Sequence, residues 1–273
     1  MIEVIDTYPR FKELMSGRGD PLDAWVDYLS EYSELLEILK SLTGSSFTYL
    51  MAGAVERSKE LINEMNRIHD SALNAVRDVG NKLLSNLGVE LGAKVVIYVG
   101  FGLGAVLPTK YLGSYAVLFD LLGAAEAGLI GEAVEEVIAH GICHLIHSSL
   151  MGVDPIEYNK FREDPVFLIY SEGFATRCEC LLLNKHPRTL PISVSELYDL
   201  AKFVSGGLSR DDLINAFTYS RDEGVRNHGY ALGMKLFEYL ESRLGGLLNA
   251  GKLRFNDVLE VVSRVVNEVV KES

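Results

Sequence analysis

Apolar and polar positions along this chain follow first a helical period, then a strand-like run, then a helical period again. Asp20-Pro21 makes an N-cap followed by a first-turn proline, and apolar spacing of helical type continues from there to Leu42. Thr43-Gly44-Ser45-Ser46 is a break. A second helical pattern covers about Phe47 to Leu87, with weak points near His69 and Gly80, and Gly88 ends it. The pattern then changes. Lys94-Val95-Val96-Ile97-Tyr98-Val99 is β-branched, has no polar alternation and is bounded by Gly92 and Gly100, which predicts a buried strand. Gly104 to Lys110 and Tyr115 to Phe119 predict two further short strands with Gly113-Ser114 as their turn.

Helical patterns resume at about Gly131. One runs to Leu150 and stops at Gly152, and the next opens with Asp164-Pro165 and passes Glu172 to about Leu183. Others cover Val194 to Val204, Tyr230 to Leu244, and Asn256 onward. Helices, a small sheet and helices again predict an α+β fold, mainly helical. The most plausible seam is near Gly88 to Gly92. It separates an N-terminal helical region (1–90) from a second domain (91–273), unless the two form one continuous domain.

Composition narrows the partners. The 273 residues carry a formal net charge of −12, with a sequence pI of about 5.0, which argues against nucleic acid and anionic membrane surfaces. No basic start followed by an apolar run marks a secretory leader. No stretch reaches the roughly 18 uncharged apolar residues of a membrane span; the most apolar region, Ala116 to Gly131, contains Asp120 and Glu126. Three cysteines, Cys143, Cys178 and Cys180, suit reduced thiols and a cytoplasmic location. A Cys178–Cys180 bridge within a helix is geometrically implausible.

The stretch that carries chemistry is Glu136-Val137-Ile138-Ala139-His140-Gly141-Ile142-Cys143-His144-Leu145-Ile146-His147. At about 100° per residue, Glu136, His140, Cys143, His144 and His147 share one arc of a helix, and Val134, Ile138, Ile142 and Leu145 share the opposite arc. The apolar arc predicts a core face and the histidine arc a cavity or cleft. Histidines at i and i+4 can aim two imidazole nitrogens at one tetrahedral ion, leaving a third ligand to come from elsewhere. On spacing alone, an incidental pair of histidines is an equal alternative. His147 is too far along the axis from His140 to share an ion easily, and reads as a residue beside the site or facing solvent.

Taken with Tyr170-Ser171-Glu172-Gly173-Phe174-Ala175-Thr176, this helix resembles the gluzincin metallopeptidases, which pair a His-Glu-x-x-His helix with a later glutamate-bearing helix. Glu172 follows His144 by 28 residues, and the strand-rich stretch before the helix also fits. The resemblance covers roughly residues 92 to 245. It implies a zincin-like core with a small sheet and an active-site helix. It also implies Zn2+ held by His140, His144 and Glu172, Tyr170 packed beside the site, and a peptide or protein as the molecule bound. Within Asn227-His228-Gly229-Tyr230, it offers His228 or Tyr230 as a contact to a substrate carbonyl.

The sequence departs from the family at the residue after the first histidine, where the general-base glutamate is replaced by Gly141. Losing a positioned base typically costs on the order of 10² to 10⁴ in rate. The resemblance therefore implies a catalytically impaired homologue. The alternatives are an active zinc-dependent hydrolase with a displaced base, and a metal-free helical interaction protein. With no side chain at 141, one option is room beside the metal for a ligand or another side chain. If only the base is missing, Gly141→Glu should create zinc-dependent peptidase activity. Glu136, one turn before His140, is the candidate to support a ligand histidine or to serve as a displaced base. Cys143 reads as a thiolate ligand, a nucleophile or a buried structural thiol. Glu179 reads as a partner for Arg177 or Arg188. Thr176 stands where the family usually has an acidic residue.

Overall fold

The computed structural model describes residues 1–17, 19–186, 219–220, 225–226 and 228–272, and elements are numbered in chain order among them. The helix expected over 194–204, and Arg188 with it, lies outside the described residues. The chain divides into two compact units, Met1–Gly141 and Ile142–Ser273.

The first unit contains a four-stranded mixed sheet of β1 (Ile2–Asp6), β2 (Ala93–Tyr98), β3 (Val106–Tyr111) and β4 (Ser114–Asp120), in the order β1-β2-β4-β3. β2 runs parallel to both of its neighbours, and its Val95, Val96 and Ile97 are completely buried. A strand covered on both faces needs no polar alternation, which is why its sequence is a continuous apolar run. β3 and β4 pair antiparallel around Leu112-Gly113. Both turn residues have positive φ, 48° and 69°, the backbone geometry that suits a two-residue hairpin. β1 is a strand that helical periodicity alone does not suggest. It pairs in parallel with Ala93–Ile97, so paired strands span the seam expected at Gly88 to Gly92.

Among the described residues five α-helices separate β1 from β2: α1 (Tyr8–Met15), α2 (Pro21–Glu31), α3 (Ser33–Thr43), α4 (Phe47–Glu60) and α5 (Ile62–Lys82), with a short 3-10 turn at Gly44–Ser46 and a π turn at Leu83–Leu87. The Asp20 carboxylate caps α2 by accepting from the Leu22 N–H at 2.8 Å, ahead of Pro21. The long helical pattern breaks at Leu61 instead of at His69 or Gly80, and both of those lie inside α5. Contacts with β1 account for this. His69 is held by Asp6 at 2.9 Å, and a side chain at Gly80 would meet Ile2 only at ordinary distance, 3.8 Å. The helical core of this unit is aromatic: Phe11 packs edge-on to Trp25 and Tyr28 at 5.0 and 5.3 Å. After the sheet come α6 (Leu121–Glu126) and α7 (Glu132–Met151), and the division between the units falls within α7.

The second unit continues with α8 (Pro155–Phe161), α9 (Pro165–Leu183), a short paired β5 (Tyr219–Ser220) and β6 (Val225–Arg226), then α10 (His228–Leu244), α11 (Leu247–Ala250) and α12 (Phe255–Glu272). Asp164 caps α9 by accepting from Val166 and Phe167 N–H, with Pro165 in the first turn, as its sequence predicts. Every residue of α9 from Ile169 to Thr176 is buried, so it is the central helix of its unit. It meets α10 backbone to backbone at Gly173 and Gly233. A Cβ added at 173 would sit 2.2 Å from the Gly233 carbonyl oxygen.

The architecture is therefore α+β and mainly helical with one small sheet. Among the described residues, no helix is long and apolar enough to cross a membrane.

Candidate metal centre

From His140 to His147 the polar arc of α7 is buried as its apolar arc is. His140 is 8% exposed, His144 2%, and Cys143 and His147 not at all, matching Ile138, Ile142 and Leu145. The arc predicted to face a cavity or cleft is thus inside the protein, where each imidazole needs a partner. His147 does not face solvent, which corrects that part of the expectation.

His140 and His144 lie one turn apart on α7, and Glu172 stands on α9. One ligand atom from each of the three can be chosen so that all lie within 4.8 Å of one another. Within this group His144 Nε2 and Glu172 Oε1 stand 3.4 Å apart. A tetrahedral ion with bonds of about 2.0–2.1 Å separates its ligand atoms by roughly 3.3 Å, so this pair already stands at ligand spacing. Two imidazoles and a carboxylate are a donor set that could hold a metal ion.

Arg162, at the C-terminal end of α8, hydrogen-bonds through Nη2 to Glu172 Oε1, the same oxygen that faces His144. Its guanidinium pKa moves up overall: burial lowers it, but the nearby Glu172 and Tyr158, followed by Tyr230, outweigh that effect. A cation fixed on this carboxylate favours its ionised form, which is the form a metal needs. The same contact also satisfies Glu172 without any metal. Sequence spacing carries no signal for Arg162, since it belongs to a different helix from Glu172 and to no motif.

Tyr158 is the second residue that the sequence does not single out. Its buried hydroxyl stands 3.1 Å from His144 Nδ1 and 2.8 Å from His147 Nδ1. His147 stacks on Phe174 at 4.2 Å and lies 4.9 Å from Tyr170, whose hydroxyl donates to the Ala250 carbonyl. Burial above all, then His144 and Arg162, pushes the His147 pKa well below its usual 6.5, so this imidazole is neutral.

Cys143 is a buried thiol beside Cys178. Burial first, then Cys178 and Glu179, raises its pKa well above the usual 9, which keeps it protonated and unsuited to be a nucleophile. All three cysteines are free thiols. Arg177 pairs with Glu241 at 2.9 Å, and Glu179 is buried.

Gly141 has no room beside it. A Cβ there would lie 3.0 Å from Val117 Cγ1, 3.3 Å from its Cγ2 and 3.6 Å from Val106 Cβ. The missing side chain is replaced by close packing of α7 on β3 and β4, and this overturns the expectation of space for a ligand. Glu136 is half-buried on the same helix. Tyr230 is half-buried near the start of α10 and close enough to Arg162 to influence it. The side chain of His228 lies outside the described residues.

No family model matches the chain, and neither does a curated protein or a solved structure.

Proposed function

We propose that this protein is a gluzincin-like metal-binding protein in which His140, His144 and Glu172 hold a zinc ion. It is a catalytically impaired homologue of the metallopeptidases that binds a peptide or protein. The observation that carries this reading is the buried His140–His144–Glu172 group, with His144 Nε2 and Glu172 Oε1 already 3.4 Å apart. Zinc in that position supplies a Lewis acid that can polarise a carbonyl oxygen of the bound chain. The protein's own residues orient the ligands and exclude water. No carboxylate follows His140, and the valines packed on Gly141 fill the position that a general base would take. Impaired hydrolysis is the consequence.

One observation favours a second reading. Arg162 and His144 already satisfy Glu172 as a buried ion-pair network, and such a network can serve structure alone. Elemental analysis separates the two. Protein purified without chelator, or reconstituted with zinc and desalted, is expected to carry stoichiometric zinc, and His140→Ala to carry none. The wild type is expected not to cleave a broad peptide library. Metal-free protein after reconstitution would leave the ion-pair reading in place, and zinc-dependent cleavage would overturn the impairment.

A further inference from the structure

We propose that Tyr158 and His147 form a hydrogen-bond relay that fixes the tautomer of His144, so that its Nε2 lone pair faces Glu172. The inference rests on the metal-site reading above and assigns positioning residues to that site.

The argument is a count of protons. A phenol carries one O–H and can accept at the same oxygen; a neutral imidazole carries one N–H and one lone pair. The two Nδ1 atoms of His144 and His147 both face the Tyr158 hydroxyl. For His144 Nε2 to offer a lone pair to a cation, its proton must sit on Nδ1, from which it donates to the Tyr158 oxygen. The hydroxyl then donates its own proton to the closer imidazole, His147 Nδ1, at 2.8 Å. His147 must in turn carry its proton on Nε2.

The surroundings of His147 favour that form. Its Nε2 is buried with no hydrogen-bond partner among the described residues. The ring is enclosed by Phe174, Tyr170 and Phe237, with Phe237 perpendicular to it at 6.4 Å. An imidazole N–H lies in its ring plane, so of these rings the perpendicular Phe237, and not the stacked Phe174, has the orientation in which an aromatic face accepts it; the same face repels a nitrogen lone pair. The neighbouring Ser171 hydroxyl donates to the Leu168 carbonyl at 2.9 Å.

The relay acts against a real competitor. Without it, the carboxylate 3.4 Å from Nε2 would draw the His144 proton to that nitrogen, where it blocks metal binding. Outer partners of this kind typically contribute about 10–100-fold in metal affinity.

The test has two readouts. Long-range proton–nitrogen correlation spectra of metal-free, 15N-histidine-labelled wild type at neutral pH report each tautomer directly, without any substitution. His144 is expected to carry its proton on Nδ1 and His147 on Nε2. Zinc affinity, measured by competition with a chromophoric chelator, is expected to fall about 10–100-fold in Tyr158→Phe. A fall of the same order is expected in His147→Phe, which keeps the ring packing but frees the Tyr158 proton to turn towards His144. An Nε2–H on His144 in the wild type, or a folded Tyr158→Phe variant that binds zinc within twofold of wild type, would overturn the relay. Wild type that shows both expected tautomers and binds no zinc would overturn the metal reading and leave the relay standing.

Discussion

The meeting of α9 and α10 at Gly173 can be tested with one methyl group. In Gly173→Ala the new Cβ would lie 2.2 Å from the Gly233 carbonyl oxygen, 2.5 Å from its carbon and 2.9 Å from its Cα. All three are backbone atoms, so no side chain can swing aside. Since carbon and oxygen in contact need well over 3 Å, the helices must part by about 1 Å, which also weakens contacts along the rest of the crossing. Overpacking of this kind costs about 1–3 kcal/mol, and a backbone clash belongs at the upper end. Alanine returns about 1 kcal/mol through helix propensity. The net loss is about 2 kcal/mol, or a fall in Tm of roughly 4–8 °C for a chain of this size. Thermal unfolding followed by circular dichroism reads it. Gly53→Ala is the control: within α4, its Cβ meets only the tip of Arg57 at 3.4 Å, so its melting temperature should stay level or rise. Because α9 carries Glu172 beside Gly173, zinc affinity should fall in Gly173→Ala as well. A Gly173→Ala protein that melts at or above the wild-type temperature would refute the crossing geometry.

Two further outcomes follow from buried groups. Gly141→Glu would push its side chain against Val117 and Val106, combining overpacking of about 1–3 kcal/mol with the cost of carrying a charge into apolar packing. It should lower Tm markedly and yield no peptidase, and cleavage of a peptide library by this variant would contradict the packing argument. Asp120 caps α6 from a buried site, and its pKa is pushed up to about 6 by burial, against the opposing N–H groups of Gly100, Gly102, Gly123 and Leu122. A raised carboxyl pKa means that folding favours the protonated form. Its contribution is therefore complete below about pH 4 and is lost as pH rises through about 6, a loss of roughly 3 kcal/mol. Urea unfolding at several pH values should show wild type losing stability over that window relative to Asp120→Asn; parallel curves would exclude this role.

Much of the molecule follows from local pattern. Asp164-Pro165 marks the start of α9, the β-branched run predicts β2, and i, i+4 spacing sets His140 and His144 on one face of α7. Caps, turn residues and periodicity act within a few residues of one another, so a single sequence displays them. What stands opposite each element is a different kind of fact. β1 is five residues long, and its partner strand lies about 90 positions away. Gly173 is glycine because Gly233 crosses it, and Gly141 because two valines of the hairpin fill its side. Arg162 reaches Glu172, and Tyr158 reaches two histidines, from a helix with no recognisable motif. The sequence determined which residues could serve as ligands and which helices bear them. Tertiary structure alone decided how those ligands are held, because the partner of a buried polar atom is set by long-range packing that leaves no period in the chain.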